Sequence, residues 1–93
     1  MKRIFEIKPV FVDNIPDKLE HGILYISKTH YTAIHLCACG CGLETVTPLS
    51  PENWTLINDN GLVSLKPSIG NTKGELPNYH AHYFIFSNRI IWC

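Results

Sequence analysis

Apolar residues recur at every second position through most of this chain, in short segments broken by Gly, Pro, Asn and Asp. Such alternation puts successive side chains on opposite faces of an extended strand. Arg3 to Phe11 sets Ile4, Glu6 and Lys8 against Phe5, Ile7 and Val10, with Pro9 marking an edge or an end. Asn14, Pro16 and Asp17 form a turn. Asp17 to Gly22 has the length of one helical turn stopped by glycine, after which Gly-Ile-Leu-Tyr-Ile-Ser from residue 22 is a strand. The run from Tyr31 to Cys39 has the β-branched and aromatic content of a buried strand. Gly40-Cys41-Gly42 supplies a tight turn, and Leu43 to Thr47 alternates as the return strand. Cys37, Cys39 and Cys41 are thereby placed at the tip of a β-hairpin.

The pattern repeats in the second half. Trp54-Thr-Leu-Ile alternates, Asn58-Asp-Asn-Gly is a turn, and Leu62-Val-Ser-Leu is a strand. Lys66 to Pro77, rich in Pro and Gly, reads as a long surface connection of the kind that carries function. Tyr79 to Phe86, a Ser87-Asn88 turn and Arg89 to Cys93 make a closing hairpin, with His80 and His82 on one face of its first strand. Short strands with turns between them and no long helix predict an all-β fold. The expected arrangement is a small domain of antiparallel hairpins, a meander, sandwich or partly open barrel, with residues 1–93 forming one zinc-binding unit.

Composition narrows the function classes. A hydrophobic fraction of 45% and a charged fraction of 17% belong to a folding chain rather than a disordered one. Acidic and basic residues cancel to zero net charge and are interspersed, which argues against nucleic-acid binding and so against a nucleic-acid-binding zinc ribbon. No run approaches the roughly 20 apolar residues of a membrane span. Lys2 and Arg3 are followed by Glu6, Lys8 and Asp13 rather than by the apolar stretch of a signal peptide, so a cytoplasmic protein is expected. In a reducing compartment four cysteines are metal ligands or inert thiols rather than a disulfide framework.

Three of those cysteines fall within five residues. Zn²⁺ takes four ligands in a tetrahedron from thiolate sulfur and imidazole nitrogen, and Cys37, Cys39, Cys41, His80 and His82 offer five candidates for four places. As small buried hydrophobes, three cysteines at a glycine turn would be poorly placed. His35, two residues before Cys37, is a further ligand, a hydrogen-bond partner to a ligand, or a satisfied strand histidine. Cys93 reads as a peripheral thiol, and His21 and His30 as surface residues.

Abundant cysteine ligation is the habit of structural zinc, whereas catalytic zinc keeps an open position. Ser68, in the polar stretch Pro67 to Asn71, has no evident packing purpose. If the cysteines and His80 complete the shell, His82 is left to serve as general base to a nucleophilic Ser68. In the opposite assignment His82 is a ligand, a metal-activated water attacks, and Glu44 is the base. Each residue also has a plain reading, Ser68 as a turn cap and Glu44 on a solvated strand face.

The set His-x-Cys-x-Cys-Gly-Cys-Gly at 35–42, Val46-Thr-Pro-Leu, Trp54, Val63-Ser-Leu-x-Pro-Ser-Ile-Gly-Asn71, His82-Tyr-Phe-Ile and Trp92 resembles a family of small bacterial domains of unknown function. Some members are encoded beside genes of ubiquitin-like conjugation systems. The resemblance extends from about Leu24 onward. It implies a peptidase that matures or removes a ubiquitin-like protein, with that protein or its conjugates as partner. In the family a cysteine precedes a Ser-His-Tyr motif by a few residues; here the neighbourhood is Tyr79-His80-Ala81-His82, so His80 replaces the thiolate in a Cys3His shell and the motif serine is Ala81. The expectation is therefore a zinc-containing hydrolase using Ser68 and His82; the alternative is a non-catalytic zinc-stapled protein-interaction module.

Overall fold

The computed structural model describes residues 3–71 and 81–93, and among these the fold is all-β. The strands are β1 (Lys8–Phe11), β2 (Ile23–Ser27), β3 (Thr32–Leu36), β4 (Glu44–Pro48), β5 (Thr55–Asp59), β6 (Leu62–Asn71), β7 (Ala81–Phe86) and β8 (Arg89–Trp92). They form two four-stranded sheets of order β1-β2-β3-β4 and β5-β6-β7-β8. The second sheet is an antiparallel meander, as the turn signals predict. No described helix is long and apolar enough to cross a membrane.

Four local expectations are corrected. The opening strand is confined to Lys8–Phe11 and pairs with β2 in parallel, because residues 12–22 cross over instead of turning back. Residues 17–22 form bends and a turn, not a helical turn. β3 stops at Leu36, so the three cysteines lie in the connection between β3 and β4 rather than partly on the strand. β6 runs on to Asn71, so Lys66 to Asn71 is strand and not loop; the remainder of that connection, and His80 with it, lies outside the described residues.

Both sheets feed one core. Leu24, Ile26 and Ala33 of the first pack in the same buried cluster as Val63, Leu65, Ile69, Tyr83, Ile85 and Ile90 of the second. Fully burying a side chain of the Leu or Ile kind contributes about 1.5–3 kcal/mol. The segment before β1 stitches the sheets along one edge. Ile4 N–H donates to Ala38 O at 2.8 Å beside the cysteines, Ile7 N–H to Asn88 O at 2.9 Å, and Ile90 N–H to Phe5 O at 3.0 Å. Trp92 Nε1 donates to Ile4 O at 2.9 Å, and the Arg3 guanidinium lies 3.9 Å from the Trp92 ring centre.

Two hairpin turns close one end of the second sheet. Asn60 and Gly61 (φ 52° and 91°) join β5 to β6, and Ser87 and Asn88 (φ 48° and 64°) join β7 to β8. Positive φ at both central residues gives a turn whose twist matches that of the strands. Asn88 ties the two turns together, its Oδ1 accepting from Val63 N at 2.7 Å and its Nδ2 donating to Gly61 O at 3.0 Å. With that end clamped, the opposite end of β6 and β7 carries the polar residues of interest.

Candidate functional site

Ser68 and His82 meet across the β6–β7 pair. The ladder matches Leu65 with Ile85 and Ile69 with Tyr83, so Lys66, Pro67 and Ser68 together face Phe84 alone. Such a bulge re-aims a side chain that regular pairing would place elsewhere, and it accommodates a proline that cannot donate to the ladder. The Lys66–Pro67 peptide is cis. Beyond the bulge Gly70 pairs with His82, which puts Ser68 diagonally across from the imidazole. Ser68 Oγ lies 2.9 Å from His82 Nε2, and both residues are half-buried. Ile69 and Tyr83 beside them are fully buried, and His82 O accepts from Cys93 N at 3.1 Å. The pair is thus held by ladder and core, not by a loose loop. A hydroxyl that donates to an imidazole nitrogen is set up to lose its proton to that nitrogen.

The cysteine cluster forms in the β3–β4 connection. Cys37 N–H donates to Leu43 O at 2.8 Å and Gly40 N–H to Cys37 O at 3.0 Å, while Gly40 and Gly42 take φ of 89° and 86° that other residues adopt at a cost. This winding draws the Sγ atoms of Cys37, Cys39 and Cys41 within 4.8 Å of one another, with Cys37 and Cys39 3.4 Å apart. None of the four cysteines is in a disulfide. Thiolates about 2.3 Å from a tetrahedral Zn²⁺ stand about 3.8 Å apart, so the three sulfurs fit three corners of a zinc shell. Desolvation, followed by hydrogen bonds with the Cys41 and Cys37 thiols, pushes the Cys39 thiol up to about 11. His82 is outside this cluster, its Nε2 being directed to Ser68. Glu44 is exposed at the start of β4.

A buried hydroxyl joins the two features. Tyr83 Oη accepts from Ala38 N, between the first two cysteines, and from Asn71 Nδ2 at the end of β6, both at 3.3 Å, and it lies 2.6 Å from His35 Nε2. The Cys37 side chain is a further hydrogen-bond partner of Tyr83 Oη, and the second ring nitrogen of His35 is Nδ1. That Nδ1 has no partner among the described residues. Desolvation by complete burial, with the His21 charge a smaller cause, lowers the His35 pKa to about 4. Burial, the largest influence on it, likewise pushes the Tyr83 hydroxyl well above its ordinary range. Of the readings open for His35, the fully hydrogen-bonded one is half met, since one ring nitrogen is engaged and the other is not. His21 is half-buried with an unpartnered Nε2 rather than a surface residue, whereas His30 is exposed and lies 3.1 Å from Asn14 Oδ1. Cys93 is exposed.

Sequence reasoning passed over Tyr83 and Asn71. The signal was present in the alternation, which turns Tyr83 inward wherever His82 faces outward, and in the end of the Ser68-Ile-Gly-Asn71 stretch.

A family model described as bacterial ubiquitination-like system serine protease (BubE) matches residues 11–93. This supports the link to ubiquitin-like conjugation systems and extends it toward the N-terminus from Leu24. No curated protein and no solved structure matches the chain.

Proposed function

Because the chain belongs to the bacterial ubiquitination-like system serine protease family (BubE), we propose that it cleaves a ubiquitin-like protein or its conjugates, with Ser68 as nucleophile and His82 as general base. The observation that carries this reading is the 2.9 Å contact between Ser68 Oγ and His82 Nε2. In the reaction Ser68 Oγ attacks the scissile carbonyl carbon while its proton passes to His82 Nε2. Collapse of the tetrahedral adduct breaks the carbonyl–leaving-group bond, and the leaving group takes that proton from His82. His82 then deprotonates a water that attacks the Ser68 ester, which releases the carboxylate and restores the serine. A positioned base of this kind contributes about 10²–10⁴-fold in rate.

Cys37, Cys39, Cys41 and His80 are the proposed ligands of one Zn²⁺, for which the convergence of the three sulfurs is the support. When bound, the metal supplies a structural cross-link at the β3–β4 tip, and no step of the hydrolysis passes through it. A non-catalytic interaction module would need no serine held against an imidazole, so the same contact favours the peptidase. The test is cleavage of a reporter-tagged ubiquitin-like protein of the system, with mass-spectrometric labelling by a small fluorophosphonate. Ser68 is expected to be the labelled residue, and Ser68→Ala to lower turnover by about 10³-fold or more. A Ser68→Ala variant with full activity would overturn the mechanism.

A further inference from the structure

The outward face that carries Ser68 and His82 continues away from them as an apolar trough. β7 sends Ala81, Tyr83 and Ile85 inward and His82, Phe84 and Phe86 outward, and Ile91 of β8 stands opposite Phe84. Phe84, Phe86 and Ile91 are 43%, 57% and 46% exposed. With Pro67 and Lys66 they line a depression of about 640 Å³. Ser64 lies on its lining and is buried, its Oγ accepting from Ser87 N at 2.9 Å, so its oxygen is engaged in the turn. Contiguous apolar side chains left open to water mark a binding surface more often than scattered ones do.

The trough lies beside the reactive pair, lined by their neighbours in the chain rather than by Ser68 or His82 themselves. Pro67 immediately precedes Ser68, and Phe84 follows His82 by two residues on the same face. At about 3.4 Å per residue along a strand, Phe84 lies about 7 Å and Phe86 about 14 Å from His82. An extended peptide spans those distances in two to four residues. We infer that the trough is a specificity subsite for the substrate polypeptide, holding an apolar side chain two to four residues from the scissile bond. The inference rests on the reading of Ser68 and His82 as the reactive pair, because attack at Ser68 requires a chain laid across this face. A second copy of the protein suits the trough less well, since three half-exposed side chains and a proline fall short of the roughly 800 Å² per partner that a stable dimer buries.

The test measures kcat and KM for the tagged ubiquitin-like protein with Phe84→Ser, Phe86→Ser and, as a control outside the trough, Leu62→Ser. Quenched-fluorescence peptides with Leu or Asp stepped through the four positions on each side of the cleaved bond supply a second readout that needs no variant. KM is expected to rise about tenfold in each trough variant and to stay unchanged in the control. The native protein should prefer Leu at a position two to four residues from the bond, and Phe84→Ser should erase that preference. Fluorophosphonate labelling of Ser68 separates the two readings. If the native Ser68 labels while KM and peptide preference ignore the trough, the subsite is refuted and the mechanism stands. If Ser68 neither labels nor cleaves, the mechanism fails and the subsite with it. A dimer that dissociates on Phe86→Ser in sedimentation would also overturn the subsite.

Discussion

Replacing Tyr83 by Phe removes one oxygen from a fully buried ring and takes a hydrogen-bond partner from His35, Ala38, Asn71 and the Cys37 side chain. His35 Nε2 at 2.6 Å loses its hydrogen-bond partner, and Ala38 N and Asn71 Nδ2, each at 3.3 Å, lose their acceptor. A buried polar group left unsatisfied costs about 1–3 kcal/mol. The short contact to His35 sits in that range and the two long ones at its lower edge, so the expected loss is about 3–5 kcal/mol. The ring itself should stay, packed edge-on against Trp92 at 5.0 Å between centres. In a domain of this size each kcal/mol moves the melting temperature by about 4–8 °C, so a fall of at least about 12 °C is expected. Urea unfolding followed by circular dichroism, at fixed zinc concentration and with the slope checked for constancy, measures it. Tyr25→Phe is the comparison. Among the described residues its hydroxyl accepts from Glu20 N at 3.0 Å, and its loss should cost about 1 kcal/mol. A Tyr83→Phe loss below about 0.5 kcal/mol would refute the assignment of this hydroxyl as the junction between the cysteine turn and the end of β6.

Three further outcomes follow from the same geometry. Ser68→Ala should abolish cleavage while changing unfolding free energy by no more than about 1 kcal/mol, because its one described contact is half-buried; a large loss of stability would show the serine to be a structural group instead. Asn88→Ala removes both bonds that tie the hairpin turns and puts a side chain with little tolerance of φ 64° in their place, so about 2 kcal/mol of stability should be lost by thermal or urea unfolding. Purified protein should contain about one equivalent of zinc by elemental analysis, and chelation should lower its melting temperature by about 10 °C or more; an unchanged melting temperature would exclude a structural metal.

The residue order alone determined the strand-and-turn character of the chain, since alternation of period two and turn residues such as Asn60-Gly61 act over a few neighbours. It also determined the chemical inventory, because three cysteines within five residues, Ser68 and His82 are visible without any fold. What lay beyond it was whatever depends on partners distant in the chain. Pro67 and Gly70 read as loop residues, yet a bulge absorbs the first and the second pairs with His82, so a serine expected on a loop stands on a strand. The parallel pairing of β1 with β2 is a choice of neighbour that local pattern does not encode. Tyr83 reads from sequence as one more core aromatic. Only the packing of the second sheet against the β3–β4 connection brings its hydroxyl to His35, Ala38 and Asn71, which are 48, 45 and 12 residues away in the chain. Burial there makes each of those hydrogen bonds costly to lose, which is why tertiary structure, and not residue order, decides what holds the thiols and the serine in place.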